Sequence, residues 1–558
     1  MIPQSIVDLV EICALKGIQH AVISPGSRNA PLTIAFARHS KIKCISVSDE
    51  RSAAFIALGM ALKTGRTTVL ICTSGSAAYN YAPAIAEAYF SNIPLLILTA
   101  DRPPEWIDQL DGQTIYQENI YGTHVKKFYR FPSQDNFDDA TWYAHRLINE
   151  AINLSEQLPK GPVHINVPFR EPFYPSDATG LSPSPSIKII DEQNPSLFEE
   201  ISIDEFNRFR KILIVVGQCH YNEQFRASIK KIAKKIPVVA DVISNLNGIE
   251  GVIQHQDLFL KSTSNYHLLY PDLIITFGKS VISKNLKLFV RSASKVEHWH
   301  VQMHGYVADT FQQLSRIIKY APDAVTQILS QIAPALLDET FVANWARINQ
   351  SCKSLLATSI NQAKFSEFKV YYELSKLIPD TMDLHLANSM AVRYFNFIGI
   401  DLPNINVYCN RGTSGIDGSV STALGSALCT DSTVLLITGD MAFFYDRNAF
   451  WHQNLPSNLK IIVLNNQGGG IFRLINGPGQ QPELEEFFET KQSLSARHLA
   501  SEYGFDYYPC NNLKSLIESF RIFIQPGKNV SILEVDTHPT TNKNVYDQIM
   551  SGISESLN

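Results

Sequence analysis

The sequence predicts an α/β protein built from three doubly wound parallel-sheet domains. Strand-sized apolar runs alternate with helix-patterned stretches from the N-terminus onward, as parallel sheets covered on both faces require. At 558 residues the chain is too long for a single hydrophobic core, and length alone suggests three or four domains. The first and last alternating stretches also lie side by side nearly without gaps. TVLICTSGSAAYNYAPAIAEAYFSNIPLLILTAD (68–101) matches TVLLITGDMAFFYDRNAFWHQNLPSNLKIIVLNN (433–466) as strand, glycine-bearing turn, helix and strand.

The elements follow in order. MIPQSIVDLVEICALKG carries Asp8 and Glu11 within its apolar pattern, so it reads as an amphipathic helix ending at Gly17 and not as a signal peptide. Strands are predicted at 20–24, 43–48, 67–73 and 93–100, with helical patterns between them. EPFYPSDATGLSPSPS (171–186) is rich in Pro and Ser and reads as a linker. A second unit has strands near 211–217, 237–242 and 273–278, followed by a mainly helical pattern from about 310 to 365. The third has strands at 383–388, 405–409, 433–439, 460–466 and 530–535. The predicted domains are 1–180, 187–350 and 365–558.

Composition narrows the function. Apolar residues make up 45% and charged residues 18%, as in a soluble globular protein. A net charge of -5 without a Lys/Arg block predicts neither nucleic-acid nor membrane partners. The longest apolar runs fall short of the roughly 20 residues a membrane span needs. Eight scattered cysteines with no C-x-x-C pair indicate no disulfide framework or zinc site, which fits a reducing cytoplasm. No G-x-G-x-x-G follows a strand, which weakens a nicotinamide-dehydrogenase reading.

The chemistry-bearing residues sit at predicted strand ends. Asp440 closes one strand of the third unit, and the next ends Asn465-Asn466-Gln467-Gly468-Gly469-Gly470. In a parallel sheet both ends open at the edge where ligands bind. One carboxylate, one amide oxygen and a backbone carbonyl suit Mg²⁺, which takes few protein oxygens and completes its shell with phosphate and water. Either half alone is more readily read as a helix cap or a turn than as a metal site. Arg28, Arg102, Arg393 and Arg411 follow strand ends closely, as does Lys284 in the middle unit. Converging on one rim, they would suit a polycarboxylate substrate, because Arg engages carboxylates bidentately.

The G-D…N-N spacing resembles the thiamine diphosphate motif, with Met441 where a glycine is usual. SPGSRNAPL, SDERSAAFIALGMA, TSGSA, LTADRPPE, DGQTIYQ, ANSMAVR, NRGTSGIDG and NNQGGGIF together resemble a menaquinone-pathway branch of these enzymes. That branch is the 2-succinyl-5-enolpyruvyl-6-hydroxy-3-cyclohexene-1-carboxylate synthase family, and the resemblance covers essentially the whole chain. It implies pyrimidine-binding, central and diphosphate-binding domains of the thiamine diphosphate-dependent type. It further implies a cytoplasmic homodimer or dimer of dimers, with the cofactor between subunits.

The metal, Mg²⁺ with Mn²⁺ as the alternative, would be held by Asp440, Asn466 and the Gly468 carbonyl. Glu50 would serve the cofactor's pyrimidine; on sequence alone it is only a dipole-favoured acid in a helix's first turn. Ser389, Ile416, Ile471 and Phe472 would line the cofactor, and Ile416 would hold it bent. Ser27, Arg28, Arg102, Gln113, Lys284, Arg393 and Arg411 would bind the substrates, isochorismate and 2-oxoglutarate, with Gln113 also available for proton transfer. Gly112 stands where some relatives carry Asn. The rival within the same chemistry, an acetolactate-synthase-like enzyme for small 2-oxo acids, leaves the arginines unexplained.

Overall fold

A computed structural model describes residues 2–132, 138–175, 181–192, 201–261 and 266–557. Part of the predicted linker, residues 176–180, lies outside them. The described residues form three six-stranded sheets, with every recorded strand pairing parallel.

The first sheet contains β1 (His20–Ile23), β2 (Lys43–Ser46), β3 (Thr68–Cys72), β4 (Leu95–Asp101), β5 (Phe128–Arg130) and β6 (Val163–Pro168). The second contains β7 (Ile212–Val216), β8 (Val238–Ala240), β9 (Val252–Ile253), β10 (Leu273–Phe277), β11 (Glu297–Val301) and β12 (Leu314–Ile318). The third contains β13 (Asp383–Leu386), β14 (Asn406–Tyr408), β15 (Val434–Gly439), β16 (Leu459–Asn465), β17 (Asp506–Cys510) and β18 (Ser531–Asp536).

Strand order shows how the sheets are related. The first runs β2-β1-β3-β4-β6-β5 and the third β14-β13-β15-β16-β18-β17, the same order counted from each sheet's first strand. The stretches aligned in the sequence are β3–β4 and β15–β16, the third and fourth strands of each sheet. The middle sheet runs β12-β11-β10-β7-β8-β9, the arrangement typical of dinucleotide-binding folds. The region around 310–365 is not wholly helical: β12 forms the edge of the middle sheet. It is only five residues long and half-exposed, and a run that short cannot be told from the helical pattern around it by periodicity alone.

The N-terminal helix, Gln4–Leu15, buries Asp8 completely, where its carboxylate meets His145 Nε2 at 2.7 Å and accepts the Ser184 N–H at 2.8 Å. An interior acid is tolerable because it is paired this way. All eight cysteines are free thiols. Among the described residues no helix is long and apolar enough to cross a membrane.

The outer units share a core. One buried cluster runs from Val22, Ile45 and Leu70 into Val420, Leu424 and Leu436. At its centre the helix Glu50–Thr64 crosses the helix Ser419–Ala427. The crossing is close because Gly59 faces the Thr422 carbonyl and Gly425 faces the Ile56 carbonyl; a Cβ on either would stand 2.1 Å from that oxygen. Absent side chains therefore set how near Glu50's helix lies to the third unit.

Candidate active site

β15 and β16 pair from Val434↔Leu459 to Gly439↔Leu464, so the residues that follow them leave at one edge. Asp440 opens the helix Asp440–Tyr445 and is 1% exposed. It accepts a hydrogen bond from Gln492 Nε2 at 2.6 Å and others from the Met441 and Gly468 backbone N–H groups. Asn466 is also buried; its Oδ1 accepts the Gly468 N–H at 3.1 Å. Its Nδ2 donates to Glu367 Oε1 at 2.6 Å. Glu367, absent from the sequence expectations, lies in the first turn of the helix Glu367–Leu377.

Burial raises the Asp440 carboxyl to about 6 against the pull of these hydrogen bonds. Burial raises Glu367 to about 7, with the Asp440 charge adding to the rise. Among the described residues neither carboxylate has a salt-bridge partner. Two neighbouring interior acids without a cation are costly when charged, and a positive ion held at Asp440 would lower that cost.

No group of three His, Cys, Asp or Glu side chains is placed to hold a metal among the described residues. The cleft instead offers Asp440, Asn466 Oδ1 and backbone oxygen. That donor set fits a hard divalent ion which brings phosphate and water oxygens of its own. Met441 takes a helical position without left-handed backbone, so glycine is not needed there. Gly468 is needed, since a Cβ there would stand 2.8 Å from the Glu489 carbonyl.

A cationic rim borders the neighbouring strands. Arg393 lies on the helix Met390–Ile398, and burial together with Arg411 lowers its pKa. Arg411 donates from a terminal guanidinium nitrogen to Asn388 Oδ1 at 2.9 Å, while its Nε is buried and unpaired. Asn388 in turn donates to the carbonyls of Asn410 and Gly415 at 2.6 and 2.7 Å.

The loop after Arg411 is tied to the first unit by Glu87, which is 1% exposed. Its carboxylate accepts the N–H groups of Gly412 and Thr413 at 2.8 and 2.6 Å and the Thr413 hydroxyl at 2.8 Å. From the middle unit, Lys284 is exposed at the start of the helix Lys284–Ser292. One turn on, Lys287 has its pKa lowered by burial; Asp241 opposes the shift, and Arg411, Arg291 and Arg393 add to it.

The first unit holds the remaining expected residues. Asp49 caps the helix Glu50–Thr64, and Glu50 accepts from Asn80 Nδ2 at 3.2 Å. Arg28 is 7% exposed, donates to the Phe169 carbonyl at 3.1 Å and stacks 4.4 Å above the Phe173 ring. Burial and then Arg102 lower its pKa. Arg102 pairs with Asp111 at 2.7 Å and donates twice to the Gly112 carbonyl, at 3.0 and 2.7 Å. That contact is to backbone, and a Cβ at Gly112 meets nothing within 4 Å, so the residue type there is free. Ser27, next to Arg28 in the chain, is exposed.

Two further expected residues have left-handed backbone without being glycine, Gln113 at φ 57° and Ser389 at φ 69°. Strain of this kind costs about 1–3 kcal/mol and clusters at ligand sites. Ile416, Ile471 and Phe472 are incompletely buried, and Ile416 is 36% exposed, leaving apolar surface for a ligand.

The chain thus joins Asp440, Asn466 and Gly468 directly, and it sets Arg393 beside Arg411 and Arg28 beside Arg102. Among the described residues no hydrogen bond or ion pair links Glu50 to Asp440 or Asn466. Glu87, Glu367, Asn388 and Gln492 were missed. Asn388, at a strand end, carried the one signal that could have found it.

Known proteins match this architecture along its length. The thiamine pyrophosphate enzyme N-terminal TPP binding domain matches residues 7–123. The middle domain of thiamine pyrophosphate enzymes matches 187–386, and the C-terminal TPP binding domain 394–535. A Cytophaga hutchinsonii protein named 2-succinyl-5-enolpyruvyl-6-hydroxy-3-cyclohexene-1-carboxylate synthase is 47% identical over 99% of both chains. Proteins of the same name from Flavobacterium johnsoniae and Bacteroides thetaiotaomicron are 40% and 36% identical, covering 96% and 94% of this chain and 96% and 93% of theirs. Such identity over the full length, on three thiamine pyrophosphate domains, places the chain in the 2-succinyl-5-enolpyruvyl-6-hydroxy-3-cyclohexene-1-carboxylate synthase family of thiamine diphosphate enzymes.

Proposed function

We propose that this chain decarboxylates 2-oxoglutarate and adds the resulting succinyl semialdehyde unit to isochorismate. The products are 2-succinyl-5-enolpyruvyl-6-hydroxy-3-cyclohexene-1-carboxylate and CO2, as a step of menaquinone biosynthesis. The enzyme is a transferase that uses thiamine diphosphate with a divalent metal. When bound, the cofactor supplies the nucleophilic carbon and the electron sink for decarboxylation.

The chain's own residues hold and orient. Asp440, Asn466 Oδ1 and the Gly468 carbonyl hold Mg²⁺ or Mn²⁺ and, through it, the diphosphate. Ser389, Ile416, Ile471 and Phe472 wall the cofactor, and the Glu50 carboxyl holds a proton at its pyrimidine nitrogen. Gln113 lies at the substrate side as a hydrogen-bond partner for proton transfer. Arg393 and Arg411 take the 2-oxoglutarate carboxylates; Ser27, Arg28, Arg102 and Lys284 take those of isochorismate.

Among the described residues no hydrogen bond or ion pair joins Glu50 to Asp440 or Asn466 of its own chain, in keeping with a homodimer, or a dimer of dimers, in which Glu50 serves the partner's cofactor. The sheets end at Pro168 and Ile318 and resume at Ile212 and Asp383, in keeping with domains at 1–180, 187–350 and 365–558. We place the enzyme in the cytoplasm, with no nucleic-acid or membrane partner.

The observation that carries the reading is the buried Asp440–Asn466 cleft, without a salt-bridge partner among the described residues, at the end of a sheet whose neighbouring strands β13 and β14 lead to Arg393 and Arg411. The test is release of labelled CO2 with thiamine diphosphate, Mg²⁺ and isochorismate present. Release from 1-labelled 2-oxoglutarate is expected. Release from 1-labelled pyruvate instead would assign the rival small-substrate chemistry.

A further inference from the structure

We propose that Glu367 is a positioning residue for the metal site, turning the Asn466 amide so that Oδ1 faces the cation. The inference rests on the metal-site reading above and extends it to a residue 99 positions upstream.

An asparagine amide can present either its oxygen or its nitrogen, and only the oxygen ligates a cation. The two sides of Asn466 meet opposite partners. Nδ2 donates to Glu367 Oε1 at 2.6 Å, while Oδ1 accepts the Gly468 N–H at 3.1 Å. Flipping the amide would set oxygen against carboxylate and NH2 against N–H, losing both hydrogen bonds. Nor is there slack beside it, since a Cβ at Gly470 would stand 2.6 Å from Nδ2.

Glu367 is itself held in place. It is 4% exposed, and its backbone N–H donates to Asn542 Oδ1 at 2.9 Å. Asn542, 5% exposed on the C-terminal helix, donates to Thr537 Oγ1 at 3.0 Å. A line of polar groups, buried beyond the partly exposed Thr537, therefore runs from the end of β18 through two helices to the residue after β16. Groups that orient a metal ligand from behind typically govern affinity about 10- to 100-fold.

Glu367 could act through reach or through charge, and two conservative variants separate these. Glu367→Asp keeps the charge but withdraws the oxygen by about 1.5 Å, one carbon–carbon bond. Glu367→Gln keeps the reach and an accepting oxygen but removes the charge. Calorimetric titration of thiamine diphosphate into the full-length chain, at a series of Mg²⁺ concentrations, measures apparent Mg²⁺ affinity without turnover.

The expected result is a loss of about tenfold or more for Glu367→Asp and about threefold or less for Glu367→Gln. A wild-type titration for Glu367→Asp, or an equal or greater loss for Glu367→Gln, overturns the proposal. Asp440→Ala separates this failure from that of the metal site. If Asp440→Ala loses Mg²⁺-dependent binding while Glu367→Asp keeps it, only the positioning role falls. If Asp440→Ala binds normally, the metal-site reading falls.

Discussion

The close helix crossing makes a prediction whose sign differs from that of ordinary helix propensity. Gly59 lies inside the helix Glu50–Thr64, where alanine would normally gain about 1 kcal/mol from propensity and a less flexible unfolded chain. In this structure a Cβ at Gly59 would stand 2.1 Å from the Thr422 carbonyl oxygen. Carbon and oxygen approach to about 3.3 Å, so the two helices would have to separate by about 1.2 Å. The obstacle is backbone, which has no rotamer to change. Overpacking of this kind costs about 1–3 kcal/mol or more, which outweighs the propensity gain.

Gly59→Ala should therefore lower the apparent thermal midpoint, and Gly425→Ala, facing the Ile56 carbonyl at 2.1 Å, should do the same. Gly552→Ala is the control. It lies in the C-terminal helix Pro539–Leu557, nothing stands within 4 Å of its Cβ position, and it should leave the midpoint unchanged or raise it. Differential scanning fluorimetry of the three variants suffices. A Gly59→Ala midpoint equal to or above wild type would refute the argument that glycine fixes this crossing.

Glu50→Gln should cut turnover by about 10²–10⁴-fold while calorimetric thiamine diphosphate binding stays near wild type; loss of binding instead would make Glu50 a holding group only. Glu87→Ala removes the acceptor of three hydrogen bonds from the loop beyond Arg411. It should raise the KM for 2-oxoglutarate about tenfold, the loss of roughly one charge-assisted bond, and an unchanged KM would sever Glu87 from the substrate site. Burial pushes Asp446 up to about 7 although it accepts two hydrogen bonds from Ser421. Because the folded value exceeds the ordinary one, folding takes up a proton, and this acid's cost to stability grows as pH rises from about 4 to 7. Asp446→Asn should thus raise the thermal midpoint more at pH 8 than at pH 5; an equal shift at both would remove Asp446 as the source.

The sequence was most legible where function sits at strand ends. Asp440 and Asn466 close consecutive apolar runs, and parallel pairing makes such ends neighbours. Asn388 had the same signal and was passed over for the serine beside it. Glu87 and Glu367 had no such marker, because each reads as a solvated acid on a helix until the fold brings in a distant partner, Gly412 or Asn466. Gln492 lies in an irregular segment with no periodicity to place it. The unread strands had physical reasons too: β5, β9, β12 and β17 are half-exposed or very short sheet edges, β6 has His164 and Asn166 breaking its apolar run, and β11 carries two histidines and a glutamate. The likeness of the outer units was legible only through one aligned βαβ unit, β3–β4 against β15–β16; the order of the other four strands in each sheet was not.

The central claim, joining of 2-oxoglutarate to isochorismate, is tested most directly by isochorismate absorbance. Purified chain, thiamine diphosphate, Mg²⁺ and isochorismate are mixed, and 2-oxoglutarate or pyruvate is then added. Absorbance should fall only on adding 2-oxoglutarate, with a product mass equal to both substrates less CO2. Isochorismate left untouched while either 2-oxo acid is consumed would contradict the claim.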